Sequence, residues 1–423
     1  MKNITIKKVI GWMHLWLGLV SGTIVFIVCL TGCTYVFSEE ITDWSESWKK
    51  IEKEDRAFIL PSQAKAIAKR EVPGKEVSSL SMHYGEAMRL SFYKKDEYNM
   101  ALLLNPYSGE VIRSCDYKKE EFRFFDFILK GHRFLWLPWK IGRPIVNYAT
   151  LTFVIILISG LVLWWPKNKP AAKQRVWFKW KDTTKWKRKN YDLHNILGFY
   201  AMLFLLCIAL TGMTWGLEWF SKSVYYTVSG GSSLADWQES KSDTTMLHLA
   251  TSSLPVIDQV WIKLTKEAKN VHEVYLDLPE SGKASSAIGA FIAPESWGGS
   301  LYDLYSFDQY TGKEITLPNQ GKYADAVPAE KLQRMYYGIH VGSILGLPGK
   351  VLAFLASFIG ATLPVTGIYI WWGRRKKEKK AVVAPAKITT EQSIRKKITI
   401  PVKIPRPVPN TVTSHQEILN QKE

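Results

Sequence analysis

Four long stretches of this sequence contain no Asp, Glu, Lys or Arg, and each is long enough to cross a membrane. They cover residues 9–37, 144–166, 193–217 and 351–373. A helix needs roughly 20 apolar residues to span about 30 Å of hydrocarbon, and inside lipid it must satisfy all its backbone polar groups internally. The sequence therefore predicts an α-helical membrane protein, a bundle of four long transmembrane helices.

The basic residues lie on one side of these four spans. Lys and Arg are concentrated before the first span, between the second and third, and after the fourth, and such loops remain in the cytoplasm. Both termini are therefore predicted to be cytoplasmic, and the two long polar segments to lie outside. The formal net charge of +18 then reflects topology and attraction to the lipid bilayer, so we expect no nucleic-acid binding.

The two halves of the chain repeat each other, which indicates an internal duplication. In each half, a histidine near the start of an apolar span is followed by a glycine four residues later and by Thr-Gly 17 and 18 residues later. In each half, a second histidine precedes the next span, which carries Ser-Gly or Thr-Gly and ends in a tryptophan pair. The repeated histidines are His14 and His132 in the first half and His194 and His340 in the second.

The polar segments repeat as well. The stretch "LLLNPYSGEVI" (102–112) parallels "LYSFDQYTGKEI" (304–315), and each is typical of a strand, an Asx or Gly turn and a second strand. Each half is therefore predicted to consist of a helix, an outer α+β lobe and a second helix. The predicted segments are 9–37 (helix 1), 38–130 (lobe 1), 131–166 (His-bearing segment and helix 2), 167–192 (basic loop), 193–220 (helix 3), 221–337 (lobe 2), 338–373 (His-bearing segment and helix 4) and 374–423 (a basic tail, predicted to be disordered).

The four repeated histidines are candidate cofactor ligands. With a helix rise of about 1.5 Å per residue, His14 and His194 lie near the cytoplasmic face, whereas His132 and His340 lie near the outer face. Polar groups are costly inside membranes, and function is the default interpretation for them. Four histidines in duplicated positions at two depths favour ligation of a cofactor.

Glycines near these histidines point to haem. Residues i and i+4 share a helix face, and residue i+18 returns to it after five turns, so a stripe of small residues lets a flat, bulky group approach the backbone. Imidazole is a standard axial ligand of haem iron. A bare metal ion and a proton relay are the alternatives, but the repeated positions lack carboxylate or thiolate companions. The glycines in question are Gly18, Gly32, Gly198 and Gly212.

These motifs together resemble the PepSY-associated transmembrane family. They are His-x3-Gly with a distal Thr-Gly, the "NPYSGEV" hairpin, "GHRFLW…GRPIV…SGLVLWWP" and "TGIYIWWGRRKK". The family includes iron-regulated membrane proteins and ferric-siderophore reductases. The resemblance covers roughly residues 5–376 and implies a location in the bacterial inner membrane, with two periplasmic PepSY-like lobes.

The resemblance also implies two b-type haems held by histidines of the membrane helices. Carried over, the axial ligands would be His14, His132, His194 and His340, and their depths pair His14 with His194 and His132 with His340. Arg133 and Arg143 near the outer pair are candidates for binding haem propionates, although cations at a membrane interface more often only snorkel.

The predicted function is that of an oxidoreductase of the ferric-chelate reductase type, which transfers electrons across the membrane. The sequence carries no G-x-G-x-x-G or P-loop motif, so electrons are expected from a separate donor, either a cytoplasmic reductase or a quinol. The expected acceptor is a periplasmic ferric siderophore or another chelate, whose reduction to Fe(II) weakens binding by hard oxygen ligands. A haem-free regulator, for instance one that controls a peptidase, and a metal permease are the alternatives.

Overall fold

Four helices that can cross a membrane dominate the computed structural model, which describes residues 5–119, 123–246, 253–267, 271–294 and 301–383. The candidate spans are Ile6–Tyr35, Trp139–Trp164, Trp186–Gly216 and Ser343–Arg375, with 30, 26, 31 and 33 residues. At about 1.5 Å per residue each is longer than the hydrocarbon core, so its ends extend beyond it. The prediction of four membrane helices is confirmed.

The helices follow one another in the order that the repeat predicts. They are α1 (Ile6–Tyr35), α2 (Ser38–Ser45), α3 (Pro61–Glu71), α4 (Phe124–Phe134), α5 (Trp139–Trp164), α6 (Lys169–Arg175), α7 (Trp186–Asp192), α8 (Gly198–Gly216), α9 (Glu218–Val228), α10 (Val256–Glu267), α11 (Pro328–Val341) and α12 (Gly346–Val383). A single π-helical turn, Leu193–Leu197, joins α7 to α8. The third span is therefore one continuous helix with a local irregularity.

The membrane helices pack through apolar and small side chains. The buried core of the bundle takes residues from all four spans: Val25, Phe153, Val154, Leu157, Ala201, Leu205, Ala209, Met213, Leu217 and Ala356. A side chain at Gly360 of α12 would meet Cys29 of α1 and Leu205 of α8, each at 3.0 Å. Glycine at this position lets α12 approach both helices, as is common where membrane helices cross.

The two long polar segments form one antiparallel sheet of seven strands in the order β4-β3-β2-β1-β5-β6-β7. The strands are β1 (Ser79–His83), β2 (Met88–Lys94), β3 (Tyr98–Leu104), β4 (Val111–Asp116), β5 (Val271–Asp277), β6 (Ala287–Pro294) and β7 (Asp303–Asp308). The first four strands come from the first predicted lobe and the last three from the second.

The two predicted lobes therefore share one sheet, whereas the sequence pattern predicts two separate lobes. Strand β1 pairs with β5, and Leu80 lies opposite Leu276. Each strand would otherwise be an edge with unpaired backbone N–H and C=O groups. Pairing the two edges satisfies these groups and joins the lobes through their backbones.

The two predicted turns have the same hydrogen-bond pattern. After β3, Asn105 Oδ1 accepts from the backbone N–H of Tyr107 at 2.8 Å, and Gly109 N–H donates to the carbonyl of Asn105. After β7, Asp308 Oδ1 accepts from the N–H of Tyr310 at 3.0 Å and that of Thr311 at 2.8 Å. Each is an Asx turn, as the repeated sequence predicts.

Helices α3 and α10 cover one face of the sheet, and a buried carboxylate joins them. Asp258 of α10 is fully buried. Its Oδ1 accepts from the backbone N–H of Ser62 at 2.8 Å, and its Oδ2 accepts from the Ser62 hydroxyl at 2.5 Å. The N–H of Ser62 lies in the first turn of α3, where the helix itself offers no acceptor. Asp258, which belongs to the second long polar segment, thus caps helix α3 of the first segment.

Substitution Asp258→Ala should destabilise the domain that contains the sheet by about 1–3 kcal/mol, because it leaves two half-buried donors of Ser62 without their acceptor. Thermal unfolding of the purified protein measures the effect. The control is a double-mutant cycle with Ser62→Ala, in which the two substitutions should cost less together than the sum of their separate costs. Additive costs would contradict the proposed pairing.

The chain divides into two compact units, Met1–Gly373 and Arg374–Glu423, and the site described below lies in the first. In the second, α12 continues to Val383, ten residues past the predicted end of the fourth helix segment, because the Arg- and Lys-rich sequence there favours a helix. The rest of the tail predicted to be disordered lies outside the described residues. All four cysteines are free.

Candidate functional site: two histidine pairs in the helix bundle

The four repeated histidines form two pairs. The imidazole rings of His14 on α1 and His194 in the π-helical turn have centroids 6.5 Å apart and are perpendicular to each other. The rings of His132 on α4 and His340 on α11 have centroids 6.0 Å apart. We call them the inner pair and the outer pair. Each pair takes one histidine from each half of the chain.

The separation of the rings fits two ligands on one metal. A ring nitrogen binds a metal at about 2 Å and lies about 1 Å from the centre of its own ring, so two imidazoles on opposite sides of a metal have centroids about 6 Å apart. Both pairs have this spacing. Direct stacking between two imidazoles would bring the rings closer than this.

Hydrogen bonds orient both rings of the inner pair. His14 Nδ1 lies 2.9 Å from the hydroxyl of Ser159, which itself donates to the carbonyl of Ile156. His194 Nδ1 lies 2.8 Å from the hydroxyl of Thr366, which donates to carbonyls of its own helix. Since each hydroxyl proton is already used, each hydroxyl oxygen accepts the proton of Nδ1.

The rings of the outer pair are held through backbone carbonyls. His132 Nδ1 donates to the carbonyl of Val28 at 2.9 Å. His340 Nδ1 donates to the carbonyl of Ile208 at 2.9 Å and lies 3.1 Å from the hydroxyl of Thr211. A carbonyl only accepts, so Nδ1 carries the proton in both rings.

In all four histidines Nδ1 therefore carries a proton, so that in the neutral ring the lone pair of Nε2 is available. This is the arrangement typical of metal-binding histidines, whose second nitrogen donates to a fixed acceptor. In the outer pair, which lies outside the candidate spans, burial is the main cause that lowers the pKa of His132. Burial, and the repulsion that a protonated His132 would exert, lower the pKa of His340 to about 4. Neutral rings are the form that binds iron.

A glycine on a neighbouring helix makes room for each imidazole. A Cβ atom would lie 3.0 Å from His132 Cε1 at Gly32, 3.3 Å from His340 Cε1 at Gly212, 3.3 Å from His14 Cε1 at Gly160 and 3.4 Å from His194 Cε1 at Gly367. Within each half the contacts are reciprocal. In each half, the glycine of the earlier span contacts the histidine that precedes the later span. The glycine of the later span contacts the histidine of the earlier span.

Two of the four predicted glycines contact an imidazole of the outer pair. Gly32 lies against the ring of His132 and Gly212 against that of His340, and the stripe that each forms with the histidine of its own helix stays a prediction. A side chain at Gly18 would meet no atom within 4 Å, and one at Gly198 would first meet Leu363 at 3.5 Å. Neither of these two is therefore needed for a close helix crossing.

Sequence reasoning missed four contact residues of the inner pair, Ser159, Gly160, Thr366 and Gly367. The signal was available, because a Ser-Gly or Thr-Gly dipeptide recurs in all four spans. Only the helix packing shows that each dipeptide contacts a histidine on another helix. The π-helical turn at His194 was also not predicted, and such turns are frequent at functional sites.

The two arginines predicted near the outer pair lie around one tryptophan. The guanidinium carbon of Arg133 is 4.9 Å and that of Arg143 is 4.5 Å from the centroid of the Trp139 ring. Arg143 also donates to the carbonyl of Trp215 at 2.5 Å. Trp215 in turn contacts the ring of His340, with centroids 5.1 Å apart. Their role toward propionates stays a prediction.

Within the described part of the chain, no three His, Cys, Asp or Glu side chains come together to hold a metal ion. Structural and catalytic zinc sites use three or four protein ligands. Two histidines alone suit a metal that already carries four other ligands, as haem iron does.

The sequence matches the family described as the PepSY-associated TM region over residues 11–374. The chain belongs to this family. The match includes both histidine pairs and the whole sheet, so the family resemblance noted from the motifs is confirmed. Comparison with curated proteins gives no match. The family match together with the four apolar helices identifies a membrane protein.

Proposed function

We propose that this protein is a dihaem electron carrier of the inner membrane, built by duplication of one half. The inner pair would hold one haem b and the outer pair a second, each through two Nε2 atoms. The observation that carries the proposal is the spacing of 6.5 and 6.0 Å between the paired rings, with every Nδ1 fixed by a hydrogen bond. A bound haem supplies reversible one-electron chemistry.

The side chains of this chain would then have defined tasks. The hydroxyls of Ser159 and Thr366 and the carbonyls of Val28 and Ile208 hold the four rings in place and fix their protons. Gly32 and Gly212 allow the outer pair to lie against α1 and α8. The apolar core of the bundle excludes water between the two pairs, which limits side reactions of a transferred electron.

The distribution of charge supports a direction across the membrane. The basic loop 167–192 and the basic residues after Gly373 favour the cytoplasm, so the inner pair would lie on that side and the sheet in the periplasm. A cytoplasmic reductase or a quinol would reduce the inner site. The outer site would reduce a periplasmic ferric chelate, such as a ferric siderophore, by one electron to the Fe(II) form, which hard oxygen ligands hold less tightly.

The test is a reduced-minus-oxidised absorption spectrum of the purified protein, with haem measured per chain. We expect sharp α and Soret bands and about two haems per chain, since each pair supplies the two axial ligands of one haem. A dithionite-reduced sample should be reoxidised by a ferric chelate, and a chelator specific for Fe(II) should report the product. An unrelated b-type cytochrome expressed in the same cells shows whether haem supply is sufficient. Absence of haem beside a filled control would overturn the proposal and favour a haem-free regulator.

A further inference from the structure

Helix α11, which ends one residue after His340, carries a buried arginine in its middle. Arg334 is only 4% exposed, and α11 lies outside all four candidate spans. Arginine is almost never fully buried unless its charged group is paired or bonded. The groups that bind Arg334 therefore show what holds this helix in place.

Three backbone carbonyls bind the Arg334 guanidinium. Its Nη1 donates to the carbonyls of Tyr302 and Gly321, both at 2.9 Å, and its Nη2 donates to the carbonyl of Asn319 at 3.3 Å. A guanidinium presents its N–H donors in one rigid plane, and the three acceptors come from two separate stretches of the chain. The three bonds therefore fix the rotation of α11 about its axis as well as its position.

The stretches that Arg334 binds belong to the edge of the sheet. Tyr302 directly precedes strand β7. Gly321 pairs with Leu304 of that strand, because its N–H donates to the Leu304 carbonyl at 2.6 Å and its carbonyl accepts from the Leu304 N–H at 3.2 Å. Arg334 thus connects α11 to the backbone of the sheet's last strand.

Two neighbours of Arg334 contact the same segment, 319–324. Lys331 Nζ donates to the carbonyl of Ala324 at 2.8 Å, and the Tyr323 hydroxyl donates to Met335 Sδ at 3.3 Å. Residues three and four apart share one face of a helix, so Lys331, Arg334 and Met335 form the face of α11 that packs on this segment.

His340 lies on a different side of the same helix. Six residues after Arg334, it is about 9 Å further along the axis and about 120° around it. There its ring contacts His132 and Trp215. One side of α11 thus binds the sheet edge while another presents the imidazole of the outer pair.

The end of α11 leaves little freedom below His340. Gly342 has a left-handed φ of 81°, and a side chain there would collide with the carbonyl of Gly349 at the start of α12. The helix is therefore held at its end by this close turn and in its middle by Arg334. Rotation of α11 about its axis is the movement that the bonds of Arg334 oppose.

We infer that Arg334 is a positioning residue for the outer pair, which sets where the His340 ring lies relative to that of His132. The inference rests on the proposed function. The two rings have centroids 6.0 Å apart and planes at 67°, and a ligand pair acts only if it is held to within about 0.5 Å of its working geometry. Without the guanidinium, α11 can rotate on the sheet edge and displace the imidazole.

The first test is the titration of haem into haem-free, full-length protein in nanodiscs. Arg334→Met should weaken the binding of one of the two haems about ten-fold, a loss typical of removing a group that orients a ligand. Arg334→Lys should weaken it about three-fold, because an ammonium keeps the charge but lacks the planar fork. The matched control is Lys331→Met on the same face, which removes a single hydrogen bond to the same segment and should cost less than about two-fold.

Electron paramagnetic resonance of the oxidised protein separates positioning from mere stability. The signal of a ferric haem with two imidazole ligands depends on the angle between the ring planes. Arg334→Met should therefore shift the g values of one haem, the one that His340→Ala removes, and leave the other unchanged. An unchanged signal in folded Arg334→Met, or an equal shift of both haems, would overturn the inference, and Arg334→Lys decides by the same signal if Arg334→Met does not fold.

Hydrogen exchange of the backbone amides of α11 supplies a readout that needs no haem. Exchange near His340 should be faster in Arg334→Met than in Lys331→Met. If the unaltered protein bound no haem but this difference were seen, Arg334 would still position α11 and only the proposed function would be refuted. Equal exchange in the two variants would overturn the positioning role whether or not haem binds.

Discussion

Substitution His340→Ala is expected to lower the haem content from about two to about one per chain, because the outer pair then offers a single axial ligand. His194→Ala should remove the other haem, that of the inner pair. The two variants should therefore lose different spectral components and different midpoint potentials in a redox titration. His83→Ala is the control, since His83 lies on β1 of the outer sheet and should leave both components unchanged.

His340→Met separates ligation from packing. Methionine is also an axial ligand of haem iron and raises the reduction potential, so this variant should keep two haems and shift one potential upward. If His340 had a merely structural role, His340→Met would leave both reduction potentials unchanged. Two haems per chain with unaltered potentials in His340→Ala would contradict the assignment of this residue as a ligand.

The second large effect is expected at Gly32. A Cβ atom there would lie 3.0 Å from Cε1 and 3.2 Å from Nδ1 of His132, closer than ordinary contact. Gly32→Val should displace the His132 ring, destabilise the bundle by about 1–3 kcal/mol through overpacking and deplete the haem of the outer pair. Gly32→Ala should have a smaller effect in the same direction. Haem content and thermal unfolding measure both.

The matched control is Gly11→Ala on the same helix. Its Cβ would meet only Leu163, at an ordinary 3.7 Å, and alanine favours a helix over glycine by up to about 1 kcal/mol. Gly11→Ala should therefore be neutral or stabilising and should keep both haems. If Gly32→Ala and Gly11→Ala behaved alike, close contact between α1 and the His132 ring would not be what requires glycine at position 32.

Much of this architecture could be predicted from the sequence because it depends on local patterns. Uncharged stretches of more than 20 residues have few alternatives to membrane helices. The repeated turns around Asn105 and Asp308 were predictable because an Asx side chain bonds to backbone only two or three residues away. The four histidines stood out because the same unusual residue recurs at the same place in both halves.

Other features depend on contacts between distant segments, and the sequence pattern does not encode them. Pairing of β1 with β5 uses backbone groups that every strand carries, so the two lobes looked independent. The sequence also does not show which residue contacts each imidazole. A glycine such as Gly32 could equally well lie beside a group held by its own helix or against His132.

The sequence by itself therefore determined which segments can cross the membrane and which four polar side chains lie unusually in or next to them. Transfer into lipid depends on residue type and on the length of the apolar stretch alone. Only the tertiary structure decided that the rings meet at 6.5 and 6.0 Å, which glycine faces each ring, and that both lobes share one sheet. These depend on distances between helices, which are set by packing across the whole bundle.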